Sequence, residues 1–190
     1  MTPFLPPVER PRSLLVRVVY LFARRQFGMV PTPVAVHSAR LPGAFLAFYG
    51  KISRLDKKLE LPSETAFLVR ERVASLNGCL FCVDSQRWFV SRKAPDQLPR
   101  LDALAEYQTS PLFTEAERSA LDYATELTEE KHVSEATFAR LASHYNDREI
   151  CEIVWLVASE HLYNITNHGL NIGSDNLCAA RPAALSNSSA

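Results

Sequence analysis

Apolar residues recur at three- and four-residue spacing in segment after segment of this chain, and no run alternates apolar and polar residues between turn signals. That pattern favours helices throughout and offers no hairpin. Leu14, Val18, Leu21 and Phe22 form one apolar stripe, with Arg17, Arg24 and Arg25 off it and Gly28 as a stop. On this reading the stripe packs and the arginines lie on a solvated face. Pro31 and Pro33 mark one turn and Pro42-Gly43 another, before a helix through Phe45, Phe48, Tyr49 and Ile52. Pro62-Ser63-Glu64 opens the next, with Ser63 as N-cap and Phe67, Leu68, Val69, Val73 and Leu76 behind it. Asn77-Gly78 interrupts it, and a further helix runs from the cysteines that follow towards Lys93. Leu101 to Tyr107, Thr114 to Thr128, and Ser134 to His144 read as three more. Ile150, Ile153, Val154, Val157 and Leu162 mark the most apolar helix, expected at the centre. Trp88, Phe89 and Trp155 read as core fillers, and Cys151 as a small buried hydrophobe.

The expected fold is therefore all-α, a single-domain helical bundle over residues 12–175. A flexible proline-rich arm precedes it at 1–11, and a flexible polar tail follows at 176–190. These arms are placed to embrace a neighbouring subunit. At 190 residues the chain is long enough for a substantial core. Its 21 basic residues balance 21 acidic ones, so no overall field points to nucleic acid or an anionic membrane. The apolar stretches are short and broken by charge, which argues against stable membrane insertion. The basic amphipathic segment from Arg12 to Arg25 is better read as a solvated face than as a membrane contact. Leu14 to Ala23 has Arg24 and Arg25 after it rather than before it, the wrong order for an export signal. A cytoplasmic location is expected, and there a close cysteine pair is redox-active or metal-binding more often than structural.

That pair is Cys79 and Cys82, in the run Ser75-Leu76-Asn77-Gly78-Cys79-Leu80-Phe81-Cys82. Two thiols three residues apart at a helix start can close and reopen a disulfide. Unsatisfied N–H groups and the helix dipole favour a thiolate there, and on dipole grounds Cys79 is the better placed. A zinc site would need two further ligands; His161 and His168 are spaced too far apart for a standard ligand pair, and neither metal nor cofactor is expected.

At these residues the chain resembles the alkylhydroperoxidase D-like branch of the carboxymuconolactone decarboxylase family. The likeness is most specific over Arg70 to Arg87, and extends to Leu121–Glu126, Val133-Ser134, Asp147–Glu152, Tyr163-Asn164 and Gly169–Asp175. The resemblance implies an all-helical fold assembled as a dimer, trimer or hexamer. It also implies a cysteine pair that reduces peroxides or disulfides at the expense of an external dithiol. In that family the second cysteine attacks and the first resolves, which assigns attack to Cys82 and resolution to Cys79. The family's proton relay uses a histidine four residues after the second cysteine and a glutamate twelve before the first. Gln86 and Phe67 stand at those positions, and Phe81 stands where its best-known peroxidase has a further histidine. Glutamine cannot take a proton near neutral pH and phenylalanine offers no carboxylate.

Five residues are candidates for relay or support. Gln86 can only hydrogen-bond. Glu71 lies one turn beyond Phe67, but between Arg70 and Arg72 it reads as a solvated surface residue. Asp84 is placed to support the first turn after the pair. Glu160 and His161 lie on the most apolar helix, where ionisable groups are either paired or line a cavity. The function expected is a thiol-dependent, peroxidase-like or disulfide oxidoreductase, weak or repurposed for want of the relay. The alternative is a non-catalytic helical oligomer acting as a redox sensor or scaffold.

Overall fold

The computed structural model describes residues 1–178, of which Leu46 and Phe48 are described by backbone alone; residues 179–190 of the expected tail lie outside the described residues. The described chain is all-helical and contains no strand. Its helices are α1 (Leu14–Phe27), α2 (Pro42–Asp56), α3 (Ser63–Leu76), α4 (Leu80–Lys93), α5 (Leu98–Asp102), α6 (Glu115–Glu130), α7 (Glu135–Ala142) and α8 (Asp147–His168). None is long and apolar enough to cross a membrane.

Local chemistry sets the starts of the later helices. Thr114 and Glu117 form a reciprocal capping box at α6, and Asn146 and Glu149 form another at α8. The Ser134 hydroxyl caps α7 by accepting from the Thr137 amide. At α3, Ser63 is already inside the helix and its hydroxyl turns to Glu64, so it is not the N-cap expected. The helix expected over Leu101 to Tyr107 starts earlier, because Pro99 suits the first turn of α5. It also ends earlier, and a separate 3-10 turn follows at Leu104–Glu106.

The centre belongs to α3 rather than to α8. α3 packs against α4, α6 and α8, and Val69 and Val73 meet Ala120 and Ala124 of α6 and Ile153, Leu156 and Val157 of α8. A second cluster joins Leu68 and Val90 to Leu101, Leu104, Phe113 and Leu121. α8 presents one face to this core. Cys151 and Val154 lie on its other face and are exposed, so Cys151 is not the buried hydrophobe expected.

α1 corrects a second expectation. It is held by a small cluster of Val16, Tyr20 and Ala35. Leu14, Val18, Leu21 and Phe22, the stripe expected to pack, are between 49% and 75% exposed. Residues 1–11 lie along their own chain. Val8 N–H donates to Ala35 O at 3.0 Å, and Phe4 N–H donates to Leu170 O at 3.0 Å. Trp88 is buried, whereas Phe89 and Trp155 are half-buried.

Candidate active site

The cysteines sit where α3 turns into α4. Gly78 adopts φ +66°, the left-handed conformation that a side chain disfavours. Its amide bonds Ser75 O at 3.0 Å while the Cys79 amide reaches back to Ala74 O at 2.9 Å. This paired closure satisfies the last carbonyls of α3 and reverses the chain within two residues. Cys79 then occupies the N-cap position of α4 and Cys82 its first turn. The two are joined in a disulfide, with Cα atoms 5.3 Å apart. Both are buried, Cys79 at 1% and Cys82 at 6% exposure, among Ala74, Val83 and Tyr163.

α8 supplies the polar groups that meet the sulfurs. Glu160, Asn164 and Asn167 follow one another at four- and three-residue spacing, which aligns them on one face of the helix. Asn164 Nδ2 donates to Cys82 Sγ at 3.0 Å and to Glu160 Oε1 at 2.8 Å. Asn164 Oδ1 accepts from Asn77 Nδ2 at 2.8 Å. Asn167 Nδ2 lies 3.4 Å from Cys82 Sγ and 3.6 Å from Cys79 Sγ. Glu160 is also paired with Arg70 at 3.3 Å, and Arg70 in turn with Asp56 at 2.9 Å. Burial pushes the Glu160 carboxyl above the usual range, against the opposing pull of Arg70.

His161 joins the network from the next position. Asn77 Nδ2 donates to its Nδ1 at 3.3 Å, and its Nε2 lies 3.3 Å from the Thr128 hydroxyl. With the Asn77 amide donating, Nδ1 carries no proton in this arrangement, which suits the neutral imidazole. Burial, with Lys131 nearby, holds its pKa below the ordinary histidine value.

The other candidates are placed elsewhere. Gln86 Nε2 donates to the Phe67 carbonyl at 3.3 Å, joining the two positions where the relay would stand. Glu71 is 1% exposed and bonds Arg87 at 2.6 Å, so it is a buried ion-pair partner and not the solvated surface residue expected. Burial pushes its carboxyl up to about 7 despite Arg87. Asp84 takes the Leu177 and Cys178 amides at 2.8 and 3.1 Å and the Ser174 hydroxyl at 2.8 Å. It therefore fastens the segment after α8 onto α4 and leaves the first turn of α4 to its backbone. Asn164, which the resemblance covers without nominating it for the site, and Asn167, which the sequence reading misses, both belong to it, although amides following Glu160 at helical spacing on an apolar helix are a legible signal. Among the described residues, no group of three His, Cys, Asp or Glu side chains is gathered to hold a metal ion.

No family model matches the chain. It is 30% identical over 178 residues to the uncharacterized protein YnjA of Escherichia coli K12, a match spanning 92% of this chain and 95% of that one. Two solved structures share the fold at lower identity. One is a Cys-to-Ala variant of the debrominase Bmp8 in complex with 2,3,4-tribromopyrrole, with a TM-score of 0.79 and 22% identity over 94% of this chain and 96% of that one. The other is an alkylhydroperoxidase AhpD core, an uncharacterized peroxidase-related protein from Ralstonia eutropha JMP134. It has a TM-score of 0.72 and 23% identity over 90% of this chain and 95% of that one.

Proposed function

The chain belongs to the alkylhydroperoxidase D-like branch of the carboxymuconolactone decarboxylase family, and from that premise we propose that it is a thiol oxidoreductase working through Cys79 and Cys82. The observation that carries this reading is the disulfide closed between two buried sulfurs at the N-terminus of α4. Attack is assigned to Cys82, because the amide donors approach its sulfur more closely than that of Cys79. This sets aside the preference for Cys79 on dipole grounds.

With a hydroperoxide as substrate, the Cys82 thiolate attacks the terminal oxygen, an S–O bond forms and the O–O bond breaks. The alkoxide leaves and takes up a proton as the alcohol. Cys79 then attacks the Cys82 sulfenic acid, forming the disulfide and releasing water. An external dithiol returns the pair to its reduced form by thiol–disulfide exchange, becoming a disulfide itself. A cytoplasmic setting would supply such a reductant. Gln86 and Phe67 provide neither acid nor base, so the reaction is slow beside that of a relay-equipped enzyme.

Assembly with further copies of the chain belongs to the same reading. The five large apolar side chains that α1 turns outward, Leu14, Leu15, Val18, Leu21 and Phe22, form a face that a second copy would cover.

The test is reduced protein mixed with an organic hydroperoxide and followed by mass spectrometry. Wild type should lose two hydrogens faster than free cysteine is oxidised, and turn over with a dithiol. Cys79→Ser should accumulate a sulfenic acid at Cys82, and Cys82→Ser should stay unreacted at the remaining cysteine of the pair. A pair that oxidises no faster than free cysteine would leave the non-catalytic helical oligomer as the better reading. Offering 2,3,4-tribromopyrrole, the ligand of the Bmp8 variant, in parallel shows through bromide release whether the substrate class differs.

A further inference from the structure

With the relay positions held by Gln86 and Phe67, something else must make Cys82 reactive if the thiol chemistry above is right. Three observations on α8 converge on that sulfur. Asn164 is fully buried, and each of its amide hydrogens and its carbonyl oxygen has a partner. Its two flanking partners permit only one sense of the amide. As the carboxylate paired with Arg70, Glu160 accepts through Oε1, which must then face the NH2 group, while Asn77 Nδ2 donates and must face Oδ1. An N–H is thereby fixed on Cys82 Sγ at 3.0 Å. Asn167 contrasts with it: its Oδ1 is buried without a partner, so no described group holds its amide in one sense.

We propose that Asn164 is a catalytic residue that stabilises the Cys82 thiolate through this N–H, and that Glu160 and Asn77 are positioning residues that lock the amide towards the sulfur. A donor to an ionised acceptor is worth more than one to a neutral acceptor, so the bond favours thiolate over thiol. The arrangement moves no proton. It replaces a relay with a fixed dipole, which costs nothing to reorganise when the sulfur ionises. Tyr163 of α8 packs against the pair; Glu160 stands behind Asn164 with Arg70 of α3 and Asp56 of α2, and His161 behind Asn77, while Glu71 of α3 is paired with Arg87 of α4 and Asp84 of α4 is bonded to the segment after α8. Among the described residues, the side chains that hydrogen-bond the sulfurs are Asn164 and Asn167. His161 acts at one remove. Its bare Nδ1 shares the Asn77 amide, and a proton there would turn an acceptor into a donor against Asn77.

The proposal rests on Cys82 being the reactive thiol but not on the substrate, so its test uses no hydroperoxide. In a Cys79→Ser background, alkylation of Cys82 by iodoacetamide is followed against pH by peptide-resolved mass spectrometry. Asn164→Ala should move the midpoint upward, with roughly tenfold less thiolate on the acidic side of the profile. Asn164→Asp, close in size but without the donor, should move it further. Asn77→Ala releases the lock and should give a smaller shift in the same direction. Asn77 is half-buried, so that variant carries the test if changes at the buried Asn164 prevent folding. Folded variants whose profiles superimpose on wild type would overturn the proposal. An upward shift in a protein that shows no hydroperoxide turnover would sustain it and refute the peroxidase reading instead.

Discussion

Helices α1 and α8 invert the usual amphipathic arrangement in opposite senses. α8 buries a polar row, Glu160, Asn164 and Asn167, against the cysteines, while α1 exposes an apolar row and packs through Val16, Tyr20 and Ala23. The buried row is tolerated because nearly every polar atom in it has a partner: an arginine, another amide or a sulfur. The exposed row has no comparable compensation among the described residues. The difference separates two reasons for breaking the inside–outside rule. On the function proposed above, one serves chemistry within the chain, and the other would leave a surface for assembly.

The comparison is most easily broken at the core. Leu156→Ala removes a fully buried side chain from the junction of α3 and α8 and should cost about 2–5 kcal/mol in urea unfolding. Leu21→Ala on the outer row of α1 should stay within about 0.5 kcal/mol. Equal losses would mean that α1 is as much a part of the core as α8. A second change probes a buried charge beside the site. The folded chain holds the Glu71 proton up to about pH 7, whereas the unfolded chain gives it up near the ordinary value of 4.5. The folded state therefore binds more protons across that window, and this contribution to stability is lost as pH rises through about 7. Wild type minus Glu71→Gln, unfolded in urea at pH 5 and pH 8, should fall by up to ~3 kcal/mol. A difference independent of pH would show that Arg87 keeps the carboxylate ionised throughout. The smallest effect on folding is expected from Leu21→Glu with Phe22→Glu, which should leave the unfolding midpoint nearly unchanged. Light scattering should nonetheless register a smaller particle, and an unchanged mass would remove this face from the interface.

Much of this molecule is legible in the order of its residues, and the exceptions share a cause. The helices announce themselves through spacing and caps, and the cysteine pair through its corner at Asn77-Gly78. Glu71 misleads because its neighbours in sequence are two arginines, whereas the arginine that matters, Arg87, arrives from the next helix. Cys151 misleads because an apolar helix looks uniformly buried in one dimension. Positions 151, 154, 158 and 165 of α8 in fact form an outward strip. The α1 stripe shows the same limit: periodicity identifies two faces, but only packing decides which turns inward. The amides at Asn164 and Asn167 are visible as helical spacing from Glu160. Their proximity to the sulfurs is not, because it depends on where the corner after α3 delivers Cys82.

The chain also closes on itself at a seam just beyond the end of α8. Asn171 Nδ2 donates to Thr2 O at 2.8 Å, and Asp175 takes both the amide and the hydroxyl of Thr32, at 2.7 and 2.5 Å. Asp84 fastens the stretch that follows Asp175 to the helix carrying the cysteines. Sequence separations of well over a hundred residues meet there, and loop closure of that span costs only slightly more than a shorter one. The seam should therefore make the early and late parts of the chain a single opening unit in hydrogen exchange. Loosening either side releases the other, and the amides of Thr32, Leu177 and Cys178 should lose protection together while the α3–α6–α8 core stays closed.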